Sequence, residues 1–436
     1  MHKVEEVFGV NKDPVLSYVE RTDVDGMFVN ALNTDKQIIV YGASKQGKTS
    51  LVEKHLPYRN NITVSLTPKF ELIDIYKSVL GSLGVKLETQ TTTTSSSELE
   101  IGIGAKVKAF IPCFSSEIEA KSTESKASSA SVTHNEIELN LALPNDVARA
   151  FNECGNNKFI ILENFHYLEE EAQKQFAFDL RSFQELGIRF VILGVWREKN
   201  RLIQFNGDLL DRIFEIPVEP WEAPDFQQVV EKGSGLLNIK FSDEMVEEIV
   251  QNSFDSIGVV QELLKSVCQM SGVHQTQPTN KEISDITFLE AAKKEKVQAY
   301  AARHMRALEA IAEGRKTTNN PKSSDARDMP LYLPYYTVRC LLDFDFDTVI
   351  EGIKRNNLET KIKEIHHRPD DVRAGDMSNL LHNFAKLQSE KSILPPIFDY
   401  DRTTKTIRVI DSTFYFFLRN MRAEDIIGQI IDPTQR

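Results

Sequence analysis

Residues 40–56, VYGASKQGKTSLVEKHL, limit what this chain can fold into more than any other stretch. The apolar run Ile38 to Tyr41 reads as a short buried strand, and Leu51, Val52, His55 and Leu56 then recur at helical spacing. Between them Gly42, Gly47, Lys48 and Thr49 match GxxxxGK[ST] without a gap. A strand that turns through glycines into a helix aims a row of backbone N–H groups, and the positive end of the helix, at one spot. That arrangement holds phosphate. Gly42, Ala43, Ser44, Lys45, Gln46, Gly47, Lys48, Thr49 and Ser50 are therefore the candidate nucleotide-binding residues. Lys48 would reach the β and γ oxygens, and Thr49 would ligate Mg2+. Lys45 and Gln46 read as fillers, and a chance glycine-rich turn after a strand is the plain alternative.

At 436 residues and 41% hydrophobic content, the chain can fill two or three cores. Cys113, Cys154, Cys268 and Cys340 are far apart and form no CxxC pair, which points away from a zinc site or a disulfide framework. The opening MHKVEEVFGVNKDP lacks the basic-then-apolar pattern of a signal peptide, and no apolar run is long enough to span a bilayer. A reducing, cytoplasmic setting without membrane contact is the expectation. The net charge of -12 argues against a chain-wide nucleic-acid surface, but residues 301–436 hold 21 basic and 20 acidic residues, against 31 and 44 before them. A local basic face in the last third stays open.

A phosphate loop needs an acidic strand end to hold the magnesium shell. In KFIILENFHYLEEE, the apolar run Phe159 to Leu162 ends in Glu163 and Asn164, which resembles a Walker B strand. Glu163 would do the magnesium work, with a solvated strand end as its alternative. Asn164 stands where a second acid would polarise the attacking water, and an amide cannot take that proton. Hydrolysis is thus the doubtful step and binding is not. His166 and Tyr167 read as packing the following helix, in which Phe176, Leu180 and Phe183 lie three or four apart. IRFVILGVW is a buried strand, and Trp196-Arg197 beyond it stands where a γ-phosphate sensor would sit; for Arg197 an exposed cation is the alternative. GDLLDRIFEIPVEPW supplies Arg212 and a fifth strand. Strands alternating with helices predict an α/β fold with a parallel sheet.

This order of phosphate loop, acidic strand, sensor strand, arginine before the last strand and helical lid resembles the AAA+ and STAND groups of P-loop ATPases, especially the origin-recognition type and its prokaryotic relatives. The resemblance covers residues 15–275. It implies ATP and Mg2+ as ligands and Lys48, Glu163 and Arg212 as the catalytic set, with Arg212 as an arginine finger reaching a neighbouring subunit's nucleotide. A surface pair with Asp208 or Asp211 is the bland alternative for Arg212. It also places YVERTDVDGMFVNAL against the adenine, with Arg21 as that segment's arginine. Residues 223–269 resemble the lid, with Ser242-Asp243 starting one helix and Gly258 near another, but where a second sensor arginine often follows the glycine only Gln261 and Lys265 stand.

Residues 88–143 interrupt this core. Leu99, Ile101, Ile103, Ala105, Val107, Ala109 and Ile111 alternate strictly, as do Ile137, Leu139, Leu141 and Leu143 beyond a Ser-rich stretch at 122–133. The pattern predicts a β-hairpin or small antiparallel sheet, either a partner-contacting or DNA-contacting arm or a decoration packed on its own domain. The expected division is a P-loop core over 1–220, a helical lid over 221–300 and a C-terminal domain over 301–436, with the clearest linker at RKTTNNPKSSDARD. The last domain has a winged-helix cadence. Such a domain reads DNA in origin-recognition proteins and clamps the nucleotide domain in STAND-like ATPases. Lys386, Lys391, Arg402, Lys405 and Arg408 are candidate phosphate contacts for DNA through 320–436, or a solvated polar face. The pair His366-His367 lacks ligand-spaced partners and reads as surface.

Three functions follow as expectations: an ATP-binding switch with slow Mg-dependent hydrolysis that controls self-assembly or a protein partner; a non-hydrolysing nucleotide-binding interaction module; and a DNA-binding ATPase that positions other proteins. The first implies a homo-oligomer and an effector protein. The resemblance brings in prokaryotic defence proteins, so a role in anti-phage immunity is expected from it and not from the residues. The lid and C-terminal module outsize what a small-molecule kinase requires.

Overall fold

Gln37–Gly42 is buried at every residue and forms β1, the strand on which the core is built. In the computed structural model, which describes residues 1–11, 13–89, 106–113, 133–155, 157–314 and 329–435, β1 lies in a five-stranded parallel sheet. Its partners are β2 (Ile62–Ser65), β6 (Ile160–Glu163), β7 (Phe190–Val195) and β8 (Ile213–Pro217), in the order β2-β6-β7-β1-β8. Val40 pairs with Leu193 on one side and Ile216 on the other. Alternation sends Ile39 and Tyr41 to one face with Ile160, Ile192 and the expected Phe176, Leu180 and Phe183. Ile38 and Val40 go to the other, against Val24, Phe28 and Ala31 of the helix Val24–Leu32. Both faces are covered, as an α/β sheet requires.

The insertion is a three-stranded antiparallel sheet, β3 (Lys86–Thr89), β4 (Lys106–Cys113) and β5 (Thr133–Asn140), in the order β3-β4-β5. Val107, Ala109, Ile111 and Leu139 are buried in one cluster with Leu80, Val85, Ala148 and Phe151, so one face packs on the insertion's own domain. The other face carries charge, including the Lys108–Glu136 pair. Residues 99–105 of the expected strand lie outside the described residues. The second expected run is shorter than its alternation: β5 stops at Asn140, and Leu143, 50% exposed, precedes the helix Pro144–Glu153 because Pro144 takes that helix's first turn.

The lid is made of the helices Ala223–Leu237, Asp243–Gln251 and Ile257–Met270, with the short parallel pair β9 (Ile239–Phe241) and β10 (Lys281–Ile283). Ser242 caps its helix by accepting from the Met245 N–H. Two expected boundaries differ from the packing. Val4, Val7 and Phe8 are buried with Phe226, Leu263 and Leu264, so the opening residues fold with the lid and not with the core. The 27-residue helix Thr287–Glu313 runs straight through residue 300, with Leu289 and Ala292 in the lid cluster and Leu308 and Ile311 in the C-terminal one.

The C-terminal domain is winged-helix-like: helices Leu333–Asp343 and Phe346–Glu351, β11 (Ile353–Lys354), helix Arg355–Ile365, helices Ala374–His382 and Phe384–Glu390, then the wing of β12 (Phe398–Asp401) and β13 (Thr406–Val409), closed by Ser412–Asn420. The strands form an antiparallel sheet, β11-β13-β12. The linker over 315–328 lies outside the described residues. His366 is not on the surface. It is 6% exposed, bonded to the Leu331 carbonyl at 2.7 Å and accepting from the Arg368 N–H at 2.8 Å, because its ring fills the space beside Tyr336. Among the described residues no cluster of His, Cys, Asp and Glu is arranged to hold a metal, and no helix is long and apolar enough to cross a membrane.

Phe8 sits where Gly233 leaves room; a Cβ there would lie 2.2 Å from its ring. Phe8→Ala is expected to lower stability by about 3–5 kcal/mol, the cost of emptying a buried aromatic site, read by chemical denaturation. An unchanged midpoint would show that the opening segment is not part of the lid core.

Candidate nucleotide-binding site

Parallel strands bring all their carboxyl ends to one edge of the sheet, and here four neighbouring strands each deliver a functional group to it. β6 ends in Glu163, β7 leads to Arg197, β1 leads into the glycine loop, and β8 leads to Glu219. The loop turns at Gly47 with φ 84°, which favours glycine, and enters the helix Lys48–His55. The core is a P-loop NTPase fold.

Beside the P-loop lies a cavity of about 320 Å3. Lys45 to Ser50 form one wall, Val10, Val15, Tyr18 and Val19 of the opening segment a second, and Trp221, Val229, Ile257 and Gly258 a third. The apolar side chains offer a shelf for a base, and the loop N–H groups offer a cradle for phosphates. Thr49 Oγ1 and Glu163 Oε1 stand 3.4 Å apart, a hydroxyl and a carboxylate converging as hard oxygen donors suited to Mg2+. These residues fit ATP with magnesium.

Glu163 also accepts from the Tyr58 hydroxyl. Burial pushes its carboxyl above the usual range, although Tyr58, Thr49 and Lys48 act against the rise. Asn164 follows in a left-handed conformation, φ 61°. Lys48 donates to the carbonyls of Gly42 at 3.0 Å and Ala43 at 2.6 Å. Burial pulls its ammonium down to about 8, with Glu219 and Glu163 holding it up in part. Burial, with Lys48 and Arg201 beside it, presses His166 down to about 3, which favours a neutral ring.

Lys45 and Gln46 are more than fillers. The Lys45 carbonyl accepts from the Gly258 N–H at 3.0 Å, and a Cβ at residue 258 would lie 2.5 Å from Lys45 Cβ, so only glycine allows the lid this close. Gln46 donates to Glu219 at 3.1 Å, and its carbonyl accepts from Trp221 Nε1 at 3.4 Å. No local pattern marks such contacts. Glu219 had a legible sign, since it follows its strand at the same offset as Arg197 follows β7.

Arg197 pairs with Glu219 at 2.7 Å and donates to the Tyr415 hydroxyl at 3.4 Å, so it is not an exposed cation. Arg21 is buried with its guanidinium 3.9 Å from the Trp221 ring centre, and thus meets the cavity through that wall. Gln261 accepts from the Gly9 N–H at 3.2 Å and donates to Ser17 at 3.0 Å, pinning the opening segment to the lid, while Lys265 pairs with Glu262. Arg212 lies at the amino end of β8, away from its own P-loop. Its partners are Gln184 at 2.7 Å and Glu185 at 3.1 Å, in place of Asp208 or Asp211, because the end of the helix Glu170–Glu185 lies beside it and Asp208 is taken by Arg181.

No protein-family model matches the chain, and no curated protein matches it. Among solved structures it is similar to the Walker-type ATPase PABY2304 of Pyrococcus abyssi, at 14% identity and TM-score 0.45 over 92% of this chain and 96% of that one. It is also similar to the Aeropyrum pernix Orc1 protein solved in complex with DNA, at 10% identity and TM-score 0.40 over 96% and 94%. A third is the STAND protein with a tetratricopeptide repeat sensor, PH0952, from Pyrococcus horikoshii, at 12% identity and TM-score 0.35, covering 97% of this chain and 45% of that one.

A lysine whose ammonium is held near 8 is partly neutral above that pH, and a bound phosphate restores its charge. Nucleotide binding at about pH 8.5 is therefore expected to take up a fraction of one proton, measured by calorimetry in buffers of different ionisation enthalpy. Lys48→Met should abolish the uptake; its persistence would assign the proton to another group.

Proposed function

We propose that this protein is an ATP-binding switch with slow Mg-dependent hydrolysis, in which nucleotide at the P-loop sets the position of the winged-helix domain. One observation carries the reading: the C-terminal domain is hydrogen-bonded to the P-loop itself. The Ser44 N–H donates to the Ile410 carbonyl at 2.9 Å, and the Ser412 hydroxyl donates to the Ser44 carbonyl at 2.7 Å. Gln46 reaches Ser412 at 3.4 Å, and Asp411, tied to Arg303, accepts from the Ser44 hydroxyl at 3.3 Å. A ligand that repositions this loop changes how well residues 410–412 fit it, which is the differential affinity a switch requires.

Lys45 to Ser50 would hold the phosphates, with Thr49 and Glu163 holding magnesium, which when bound neutralises phosphate charge. Asn164 offers no base for the attacking water, so turnover is slow; this residue also favours the second reading, a module that binds nucleotide without hydrolysing it. Arg212, remote from its own P-loop, would act across a subunit boundary, which calls for a homo-oligomer. DNA contact is the weaker use of the wing, because Arg402 is paired with Glu170 of the core at 2.6 Å and Lys391 with Glu313 at 2.8 Å. A protein partner would carry the output, and anti-phage defence is one setting for such a switch.

The deciding experiment is ATP turnover as a function of protein concentration, with Lys48→Ala as control. Turnover per molecule should rise with concentration and vanish in the variant. Binding without turnover would select the second reading, and no binding would end both. A companion measurement tests the coupling: Asp411→Ala should loosen the docked domain, seen as a larger radius of gyration in small-angle scattering. An unchanged radius would mean that the contacts at residues 410–412 do not hold the domains together.

A further inference from the structure

The side chain at the opening of the P-loop is an acid that the mechanism above leaves unused. Glu219 Oε2 accepts from the Ala43 N–H at 2.7 Å, and Oε1 accepts from Arg197 Nη2 at 2.7 Å and Gln46 Nε2 at 3.1 Å. Lys48 is close enough for its charge to feel this carboxylate, and its ammonium is bonded to the carbonyl of Ala43 at 2.6 Å. A backbone N–H, an amide, a guanidinium and a nearby ammonium thus surround one anion that is only 16% exposed. That donor set suits a phosphoryl group equally well.

Its place along the loop identifies which phosphoryl group. The cavity is walled by Lys45 to Ser50, with the apolar shelf of Trp221 and Ile257 beside Gly47. Gly42 and Ala43, at the other end, are covered by Val218 and Glu219. A P-loop lysine serves the β and γ oxygens, and Lys48 points to the Glu219 end. The carboxylate therefore stands at the end of the site farthest from the base.

We propose that Glu219 occupies the terminal-phosphate subsite as an internal anion, so that this conformation accepts a nucleoside diphosphate and admits a triphosphate only when Glu219 leaves Ala43 and releases Arg197. The proposal rests on the reading that the cavity binds adenine nucleotide. Like charges cannot share the Ala43 N–H, so the third phosphate must expel the carboxylate. Expulsion frees the Arg197 guanidinium, which then pairs with the phosphate. Arg197 also touches Tyr415, so the exchange is felt directly by the C-terminal domain. Glu219 is in this account a specificity-determining residue that separates ATP from ADP.

The test is calorimetric titration of the full chain with Mg-ADP and with a non-hydrolysable Mg-ATP analogue, for wild type, Glu219→Gln and Glu219→Asp. Glu219→Gln should tighten the triphosphate by about tenfold or more while the diphosphate changes by less than about threefold. Glu219→Asp, too short to reach Ala43, should shift the ratio in the same direction, and its diphosphate binding reports an intact site. Equal changes for both ligands, a weakened triphosphate, or loss of diphosphate binding in both variants would make Glu219 a structural partner of Arg197 and overturn the proposal. If wild type binds neither nucleotide, the ATP-binding reading falls and takes this one with it; a failure of the ratio alone leaves that reading standing.

Discussion

Gly42, Ala43, Ser44 and Gln46 are folded into the interior, so their peptide groups must find hydrogen-bond partners, and this requirement organises the rest of the molecule. Three separate pieces of chain answer it. Glu219 accepts from Ala43, the lid donates to Lys45 through Gly258 and to Gln46 through Trp221, and the C-terminal domain takes both the N–H and the carbonyl of Ser44. The loop is thus a junction at which the core, the lid and the C-terminal domain meet. A parallel sheet makes the junction possible, because it gathers the carboxyl ends of β6, β7, β1 and β8 at one edge, where chain returning from elsewhere can reach them.

The strength of this junction is suited to change. Neutral hydrogen bonds of the kind joining Ser44 and Gln46 to residues 410–412 contribute about 1 kcal/mol each. The ion pair Arg402–Glu170 at the rim is well exposed and adds at most about 1 kcal/mol. Arg201–Asp399, which crosses from the core, is better shielded; within the C-terminal domain, burial pulls the Asp411 carboxyl up, but Arg303 and His304 hold it below its usual range, ready to accept from Ser44. A handful of such contacts is of the size that a ligand's preference between two arrangements can outweigh. The C-terminal domain is joined to the lid differently, by apolar contacts: Phe416 is buried in the lid cluster and Phe254 packs on Phe346 at 4.9 Å, so its polar contacts with the loop are the weaker of its two attachments.

Much of the site was legible before any fold was known, and the reason is local. Gly42, Gly47, Lys48 and Thr49 lie within one strand-turn-helix, so spacing alone picks them out. Glu163 was legible because a buried strand that ends in an acid is a local pattern too, and the structure brings it within 3.4 Å of Thr49. The sequence puts Arg197 just beyond a strand but says nothing of its partner, since Glu219 follows a different strand. The remaining differences have the same origin. Lys45 and Gln46 look featureless in sequence because their roles are contacts with Gly258, Trp221 and Ser412, far along the chain. Val4, Val7 and Phe8 precede the core in sequence and pack in the lid. His366 is polar in a polar stretch, yet the ring is buried because both its nitrogens find backbone partners.

By itself the sequence determined that this chain builds a parallel α/β core with a glycine-bounded loop between strand and helix, an acid at the end of a buried strand and an amide directly after it. Each of these follows from residue chemistry and short-range periodicity, which act within a turn or a strand. Only the tertiary structure decided what surrounds the loop: that an acid two residues beyond β8 meets Ala43, that glycine at 258 lets the lid touch Lys45, and that residues 410–412 close over Ser44. Those partners are hundreds of residues apart in some cases, and what joins them is the need of buried polar groups for each other, which has no spacing to be read.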